Sequence, residues 1–500
     1  MYRMGWSRHT RPMETSARKR IAVACQGGGS HTSFTAGALK ELLRRGHDKY
    51  DLVALSGTSG GAVCALLAWY ALLQHGAGAG AAVQAGRSLE KFWLRDNAPT
   101  TLPERLLNDW LVAWLRWQSA TGVLIEQSPN AMSDYWQDQL GRAVQDNVPF
   151  AELPGLVTPS SPRLFVGAVD VLTGAFKVFR SHRRASAGPG EPWEADTDAE
   201  TGISVDAILA SAAIPPVFRG VRIGQSVYWD GLFSQNPPVR ELLEAQPDEI
   251  WVIQINPNRM VPRPGEPVPG DEPTSVVDIL DRRNALAGNL SLNQELSFVE
   301  KINELVEELG EDDDGGGRRL RLERSGRTYR PVMVRRIEMS WPLGASSKLN
   351  RDPSFIGSML RYGEHRVSEL FTALDFEEAW TTRDQDTLVG FFAPKARIGL
   401  TWPSRERTSY DGEEQVRDFV RNHLTGEVQV DLTRKQVAGE TVTWNIQASP
   451  HLDARMDGGR AADWTKGTAE AQFDAGRIVT LDVDLTGSPA TTDPRPVPSP

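Results

Sequence analysis

The chain of 500 residues has little cysteine, little histidine and no long apolar run. Its two cysteines, Cys25 and Cys64, both fall in apolar segments. That excludes a disulfide framework and suits a reducing compartment. No stretch reaches the roughly 18–20 uninterrupted apolar residues of a membrane span. Positive charge is not in excess: 55 Lys and Arg against 65 Asp and Glu leave a net charge of −10, which argues against a general nucleic-acid binder. Met1 to Arg20 is polar and basic and lacks the apolar centre of a secretory signal. The expectation for residues 1–19 is a disordered leader, with membrane-surface contact as the sharper alternative, in a cytoplasmic protein that is free or peripheral at a membrane. Nucleotide signatures are missing too. There is no Gly-x-Gly-x-x-Gly spacing and no Walker-type Gly-Lys-Ser. Asp51 stands before its strand rather than at the end, where a ribose-binding acid belongs. The acidic run Glu311 to Gly317 lacks metal-ligand spacing. No metal or cofactor is expected.

What is present is a pair of glycine-rich turns about thirty residues apart, Cys25-Gln26-Gly27-Gly28-Gly29-Ser30 and Ser56-Gly57-Thr58-Ser59-Gly60-Gly61. Each follows a short apolar run that reads as a buried parallel strand, and each precedes a helix-period stretch. Ser33 to Arg45 carries Phe34, Ala38, Leu39, Leu42 and Leu43 at helical spacing, and Gly60 to Gln74 is apolar nearly throughout, as a buried helix would be. Leu89 to Gln139 is rich in tryptophan. Within it, Leu106 to Trp117 reads as an amphipathic helix with an aromatic face, either packed on the core or serving as a lid or membrane-facing surface. Arg163 to Val169 and Ala175 to Phe179 form a hairpin, and strands follow at Val227 to Trp229, Glu249 to Ile255 and Pro331 to Met339. Val276 to Leu309 and Pro353 to Leu374 are helical. From Phe376 the pattern changes to a helix pair followed by strands with period-two alternation, an α+β unit. Ser488 to Pro500 is Pro-rich and expected to be disordered. Five hundred residues exceed one ordinary core, so two domains are expected, 20–374 and 376–486, followed by a tail at 487–500.

The second turn has the form Gly-x-Ser-x-Gly. A tight strand-to-helix turn exposes the serine, and small neighbours such as Gly57 and Gly61 let a substrate carbonyl approach. Ser59 would lie at a helix N-terminus, where free amides and the helix dipole favour negative charge. Acyl transfer also needs donors for an oxyanion, worth about 3–4 kcal/mol each in other systems. Gly27, Gly28 and Gly29 can supply amides without a side chain in the way. The serine needs a base. None of the eight histidines sits at a strand end or glycine turn typical of a triad histidine, His31 being nearest by sequence. Asp230 is better placed, closing the Tyr228-Trp229 strand before Gly231. A carboxylate is a weak base toward a hydroxyl, so it needs direct contact with Ser59 and burial that raises its proton affinity.

Together these features resemble the patatin-like phospholipases: Gly27-Gly28-Gly29 as oxyanion loop, Gly57-Thr58-Ser59-Gly60-Gly61 as nucleophile elbow, Asp230-Gly231 as the acid, and Ala210-Ser211-Ala212-Ala213-Ile214-Pro215-Pro216 as the family's Ala-Ser-x-Ala-x-Pro block. The resemblance covers about Arg20 to Leu374. It implies a three-layer α/β/α domain with a mainly parallel sheet, a Ser59–Asp230 dyad, and cleavage of lipid acyl esters through an acyl-enzyme. The alternative is a catalytically weak lipid-binding or scaffold protein on the same fold. One departure stands out: the family often has Arg or Lys just after the three glycines, and here Ser30-His31-Thr32 follow, with His31 expected to replace the basic contact. The tail, about Phe376 to Thr486, resembles the cone-shaped fold of the nuclear transport factor two superfamily, as in SnoaL-like domains. That implies a partner or homodimer role for it. The partners implied for the whole chain are a lipid or acyl-ester substrate and transient contact with a membrane surface, not a nucleic acid.

Overall fold

The computed structural model describes residues 18–121, 133–183, 196–198, 200–215, 217–256, 276–312, 318–322, 327–341, 343–382, 384–402, 404–424, 429–438, 441–449, 465–474 and 476–486. The expected leader up to residue 17, the Pro-rich tail from 487, the Pro/Gly-rich excursion Pro262 to Glu272 and most of the acidic loop before Gly317 lie outside the described residues.

The elements that carry the site are, in chain order, β1 (Lys19–Cys25), α1 (Ser33–Gly46), β2 (Tyr50–Gly57), α2 (Gly60–His75), α3 (Ala79–Lys91), α4 (Leu102–Thr121), α5 (Ser133–Gln145), β3 (Arg163–Asp170), β4 (Phe176–Arg180), α6 (Val205–Ser211), β5 (Val221–Ile223), β6 (Ser226–Asp230), β7 (Glu249–Gln254), α7 (Val276–Leu309), β8 (Met333–Glu338) and α8 (Pro353–Thr382). The tail adds β9 (Phe392–Thr401), β10 (Arg407–Asp411), α9 (Gly412–Phe419), β11 (Gln429–Ala438), β12 (Thr441–Ser449), β13 (Thr465–Asp474) and β14 (Arg477–Asp484). These strands form one sheet, ordered β10-β9-β14-β13-β12-β11-β8-β7-β1-β2-β3-β6-β5, with β4 on the side of β3.

The strands β8-β7-β1-β2-β3 are all parallel. This stretch is the middle of an α/β/α sandwich, and the alternation of β1 shows why. Ile21, Val23 and Cys25 face one layer, where they pack with α1, α2, α3 and α8 through Leu39, Leu66, Leu67, Leu89 and Leu370. Ala22 and Ala24 face the other, with Val252 of β7 and with Leu292, Leu296 and Val299, one face of α7. A strand covered on both faces has no polar side, which is the apolar run seen in the sequence. Helix α2 is buried from Gly61 to Leu72. The two cysteines are buried and free.

The tail is α+β. Its strands are antiparallel to their neighbours except where β9 pairs with β14 and β11 pairs with β8, the latter over only two residue pairs, Ile337 with Val437 and Glu338 with Ala438. Helix α8 runs through the expected junction near residue 375. Its Phe376 packs on Trp380, Phe391, Phe392 and Trp444, and Glu377 accepts a hydrogen bond from Trp444 Nε1 at 2.6 Å. Among the described residues no helix is long and apolar enough to cross a membrane.

Candidate active site

Register brings the sequence-distant site residues to one edge. Cys25 and Val166 both pair with Gly57 in the parallel ladder, and Asp230 pairs with Ala168 across the antiparallel β3–β6 pair. Two residues beyond that row come Gly27, Ser59 and Ala168, and Asp230 sits beside Ala168. All seven residues expected from the sequence, Gly27, Gly28, Gly29, Gly57, Ser59, Gly61 and Asp230, therefore gather where β1, β2 and β6 end.

The elbow is tight. A side chain at Gly57 would meet the Gly61 carbonyl at 2.5 Å and the Ala62 nitrogen at 2.6 Å, and one at Gly61 would meet the Cys25 and Gln26 carbonyls. Ser59 caps α2 with φ 55°, a left-handed conformation that costs a non-glycine residue about 1–3 kcal/mol and persists only where the surroundings enforce it. Its surroundings do so. The Ser59 amide donates to Ser211 Oγ at 3.0 Å, Ser211 Oγ donates to the Gly167 carbonyl at 2.6 Å, and Thr58 Oγ1 donates to the Gln235 carbonyl at 2.7 Å.

Asp230 is 1% exposed. Burial pushes its carboxyl up from an ordinary 3.8 to about 7, against the opposing pull of hydrogen bonds from the Leu232 amide, at 2.8 Å, and from the Ser59 side chain. The Ser59 side chain thus lies close enough to Asp230 to oppose the effect of burial on its carboxyl.

Two expectations about the glycine loop need correction. The Gly27 amide donates to Asn236 Oδ1 at 2.7 Å, so it is not one of the free donors; Gly27 instead lets the loop approach Ser59, whose Cβ would lie 2.8 Å from a side chain there. The remaining donors of the expected cradle are Gly28 and Gly29, at the start of the short turn Gly29–Thr32, where backbone amides lack intrahelical acceptors. His31 does not supply a basic contact. It is buried, its Nε2 bonds Ser347 Oγ at 2.8 Å, and burial together with the Lys348 charge lowers it to about 3, so its ring is neutral. The cation near this loop is Lys348, which pairs with Asp281 at 2.6 Å.

The sequence reading missed the supports. Gln26 Oε1 accepts from the Ile255 and Asn256 amides, each at 2.9 Å, and its Nε2 donates to Asn289 Oδ1 at 3.0 Å, which fixes the glycine loop against β7 and α7. Ser211, inside the Ala-Ser-x-Ala-x-Pro block, shows no role in sequence. Asn236 carries no local signal beyond its place a few residues after Asp230. Asp170, a rival strand-end acid, is a turn residue: it accepts from the Leu172 amide and from Ser226 Oγ.

A serine on a strained strand-to-helix turn thus lies near a buried carboxylate at the end of a mainly parallel sheet sandwiched by helices. Residues 23–243 match the family model described as patatin-like phospholipase. No curated protein matches the chain. Among solved structures, an NTF2-like protein of unknown function from Mesorhizobium loti is similar at 18% identity, over 24% of this chain and 92% of that one, with TM-score 0.21. Another, from Burkholderia pseudomallei, is similar at 19% identity over 24% and 90%, with TM-score 0.20.

Proposed function

We propose that the chain is a serine lipid acyl hydrolase working through a Ser59–Asp230 dyad. What supports this reading is the strand register that brings Ser59, held at φ 55°, to the sheet edge where Asp230 is buried with its proton affinity raised to about 7. Asp230 as carboxylate takes the proton from Ser59 Oγ while Oγ bonds to the ester carbonyl carbon. The carbonyl oxygen becomes an oxyanion facing the Gly28 and Gly29 amides and the positive end of the following turn. Collapse breaks the carbonyl–alkoxy bond, Asp230 returns its proton to the leaving alcohol, and an acyl-Ser59 remains. Water then attacks the acyl carbon while Asp230 takes its proton, the acyl–Oγ bond breaks, Asp230 returns the proton to Ser59 Oγ, and the fatty acid leaves. His31 takes no part: it is neutral and turned to Ser347.

Labelling with a fluorophosphonate probe, together with hydrolysis of p-nitrophenyl acyl esters, tests this. Wild type labels and turns over, Ser59→Ala does neither, and Asp230→Asn loses turnover. Labelling that survives Ser59→Ala refutes the nucleophile, and an intact wild type that neither labels nor hydrolyses leaves the lipid-binding scaffold as the better reading.

A further inference from the structure

Helix α4 carries apolar residues on both of its faces. Its inward face buries Val112 together with Asn108 and Gln118, 6%, 2% and 5% exposed. Its outward face holds Leu102, Leu106, Trp110, Ala113, Trp117 and Ala120, all exposed and recurring at the three- and four-residue steps that keep one face of a helix. Leu102, Leu106, Trp110 and Trp117 expose 70%, 60%, 51% and 44% of their surface. Trp114 stacks between Trp110 and Trp117, with ring centroids 5.9 and 5.2 Å away. Arg105, Asp109 and Arg116 run along one edge of the stripe, exposed.

This face is tied to the mouth of the site. Asn108 Oδ1 accepts from the Arg351 amide at 3.0 Å, which seats α4 on the chain just after the turn Ala345–Leu349. That turn touches the glycine loop through Ser347 and His31, and it reaches α7 through Lys348 and Asp281. Ser119 of α4 also bonds Asp278 of α7 at 2.6 Å. Helix α7 adds exposed Ile279, Leu286 and Leu290 and packs Gly288 against Leu232, two residues after Asp230. Trp229 and Phe233, on either side of Asp230 in sequence, are exposed as well.

The geometry points to α4 as an interfacial helix that seats its Leu102-to-Ala120 face in the surface of a phospholipid layer and brings the Ser59–Asp230 edge to the acyl chains. Soluble proteins rarely leave an apolar stripe of this kind to water. Stacked indoles favour the headgroup zone of a bilayer, and the flanking arginines can lay their stems along the apolar face while their heads reach phosphates. The purpose of the docking rests on the ester-hydrolase reading, but its test does not.

Flotation of the full chain with phosphatidylcholine vesicles decides the matter, with Leu106→Ser/Trp117→Ser as the probe variant and Ser59→Ala as a chemically silent control. Wild type and Ser59→Ala co-float. The double variant partitions about tenfold or more weakly, since interfacial binding scales with the apolar area buried, while its thermal melt and its turnover of a soluble short-chain p-nitrophenyl ester match wild type. Equal flotation of the double variant overturns the proposal, as does a wild type that stays out of the vesicles. A dimer in sedimentation velocity that the double substitution dissolves, without vesicle binding, overturns it in favour of a second copy of the chain. Flotation that persists when no ester is hydrolysed removes the hydrolase reading alone and leaves the docking face standing.

Discussion

Replacing Asp230 with asparagine should inactivate the protein and make it more stable in alkali. The carboxyl has an ordinary value of 3.8 and a folded-state value of about 7, because burial disfavours its charged form. Below about pH 4 it is protonated in both folded and unfolded chains and its titration contributes nothing. Between there and about pH 7 the unfolded chain releases this proton while the folded chain keeps it, so fewer protons are bound in the unfolded state and stability falls as pH rises. Above about pH 7 both forms are ionised and the loss is complete. At about 1.4 kcal/mol per tenfold change in proton affinity, the folded state gives up about 4 kcal/mol across that window. Asparagine does not titrate, accepts the Leu232 amide in the same way and fills the same space. Urea unfolding of wild type and Asp230→Asn across the pH range should therefore give a stability difference that moves in favour of the variant by about 4 kcal/mol between acid and alkali. Other carboxylates titrate alike in the two proteins and cancel. In parallel, kcat/KM of the wild type should rise through a single ionisation near 7 and follow no histidine. A stability difference that stays flat with pH would refute the claim that burial holds this proton, and with it the argument that Asp230 is a competent base.

Ser211→Ala leaves the Ser59 amide and the Gly167 carbonyl without their shared partner; it should cost about 1–3 kcal/mol in urea unfolding and lower kcat with KM little changed, since the group orients the elbow without touching substrate. Gln26→Ala strips the Ile255 and Asn256 amides and Asn289 of their partner; a loss of about 3 kcal/mol or more is expected, and a loss below about 1 kcal/mol would show that the glycine loop does not depend on this side chain. Gly57→Ala puts a methyl 2.5 Å from the Gly61 carbonyl; overpacking of about 3 kcal/mol is expected, with fluorophosphonate labelling lost before the fold is.

The parts of the site that were legible in the sequence are those where one residue must satisfy a local backbone demand. Gly57, Ser59 and Gly61 share a turn whose glycines are dictated by the turn itself, and Asp230 announces a strand end through the glycine after it. Parallel pairing of β2 with β3 and antiparallel pairing of β3 with β6 then bring Ser59 and Asp230 to one edge although they lie 171 positions apart. The rest depended on which distant group arrives at an open position. Three adjacent glycine amides look equivalent in sequence, yet Asn236, 209 residues away, takes one of them. His31 could be read as a cation until the turn Ala345–Leu349 covered it and Ser347 bonded its ring. Helix α4 makes the same point at larger scale. Its apolar residues occupy nearly the whole circumference, with Leu107, Leu111 and Leu115 away from the Trp110 side, so periodicity predicts a helix without saying which face turns inward. Part of the choice falls to Asn108, whose amide oxygen is the acceptor for the Arg351 amide and which is buried beside Val112 and Gln118. Leaving that backbone N–H unpaired would cost about 1–3 kcal/mol, and satisfying it turns Trp110 and Trp117 outward. Asn108 thus joins buried Val112 and Gln118 and the Ser119–Asp278 bond in orienting an aromatic helix, and Asn108→Leu should loosen its seat on Arg351 while circular dichroism shows its helicity kept.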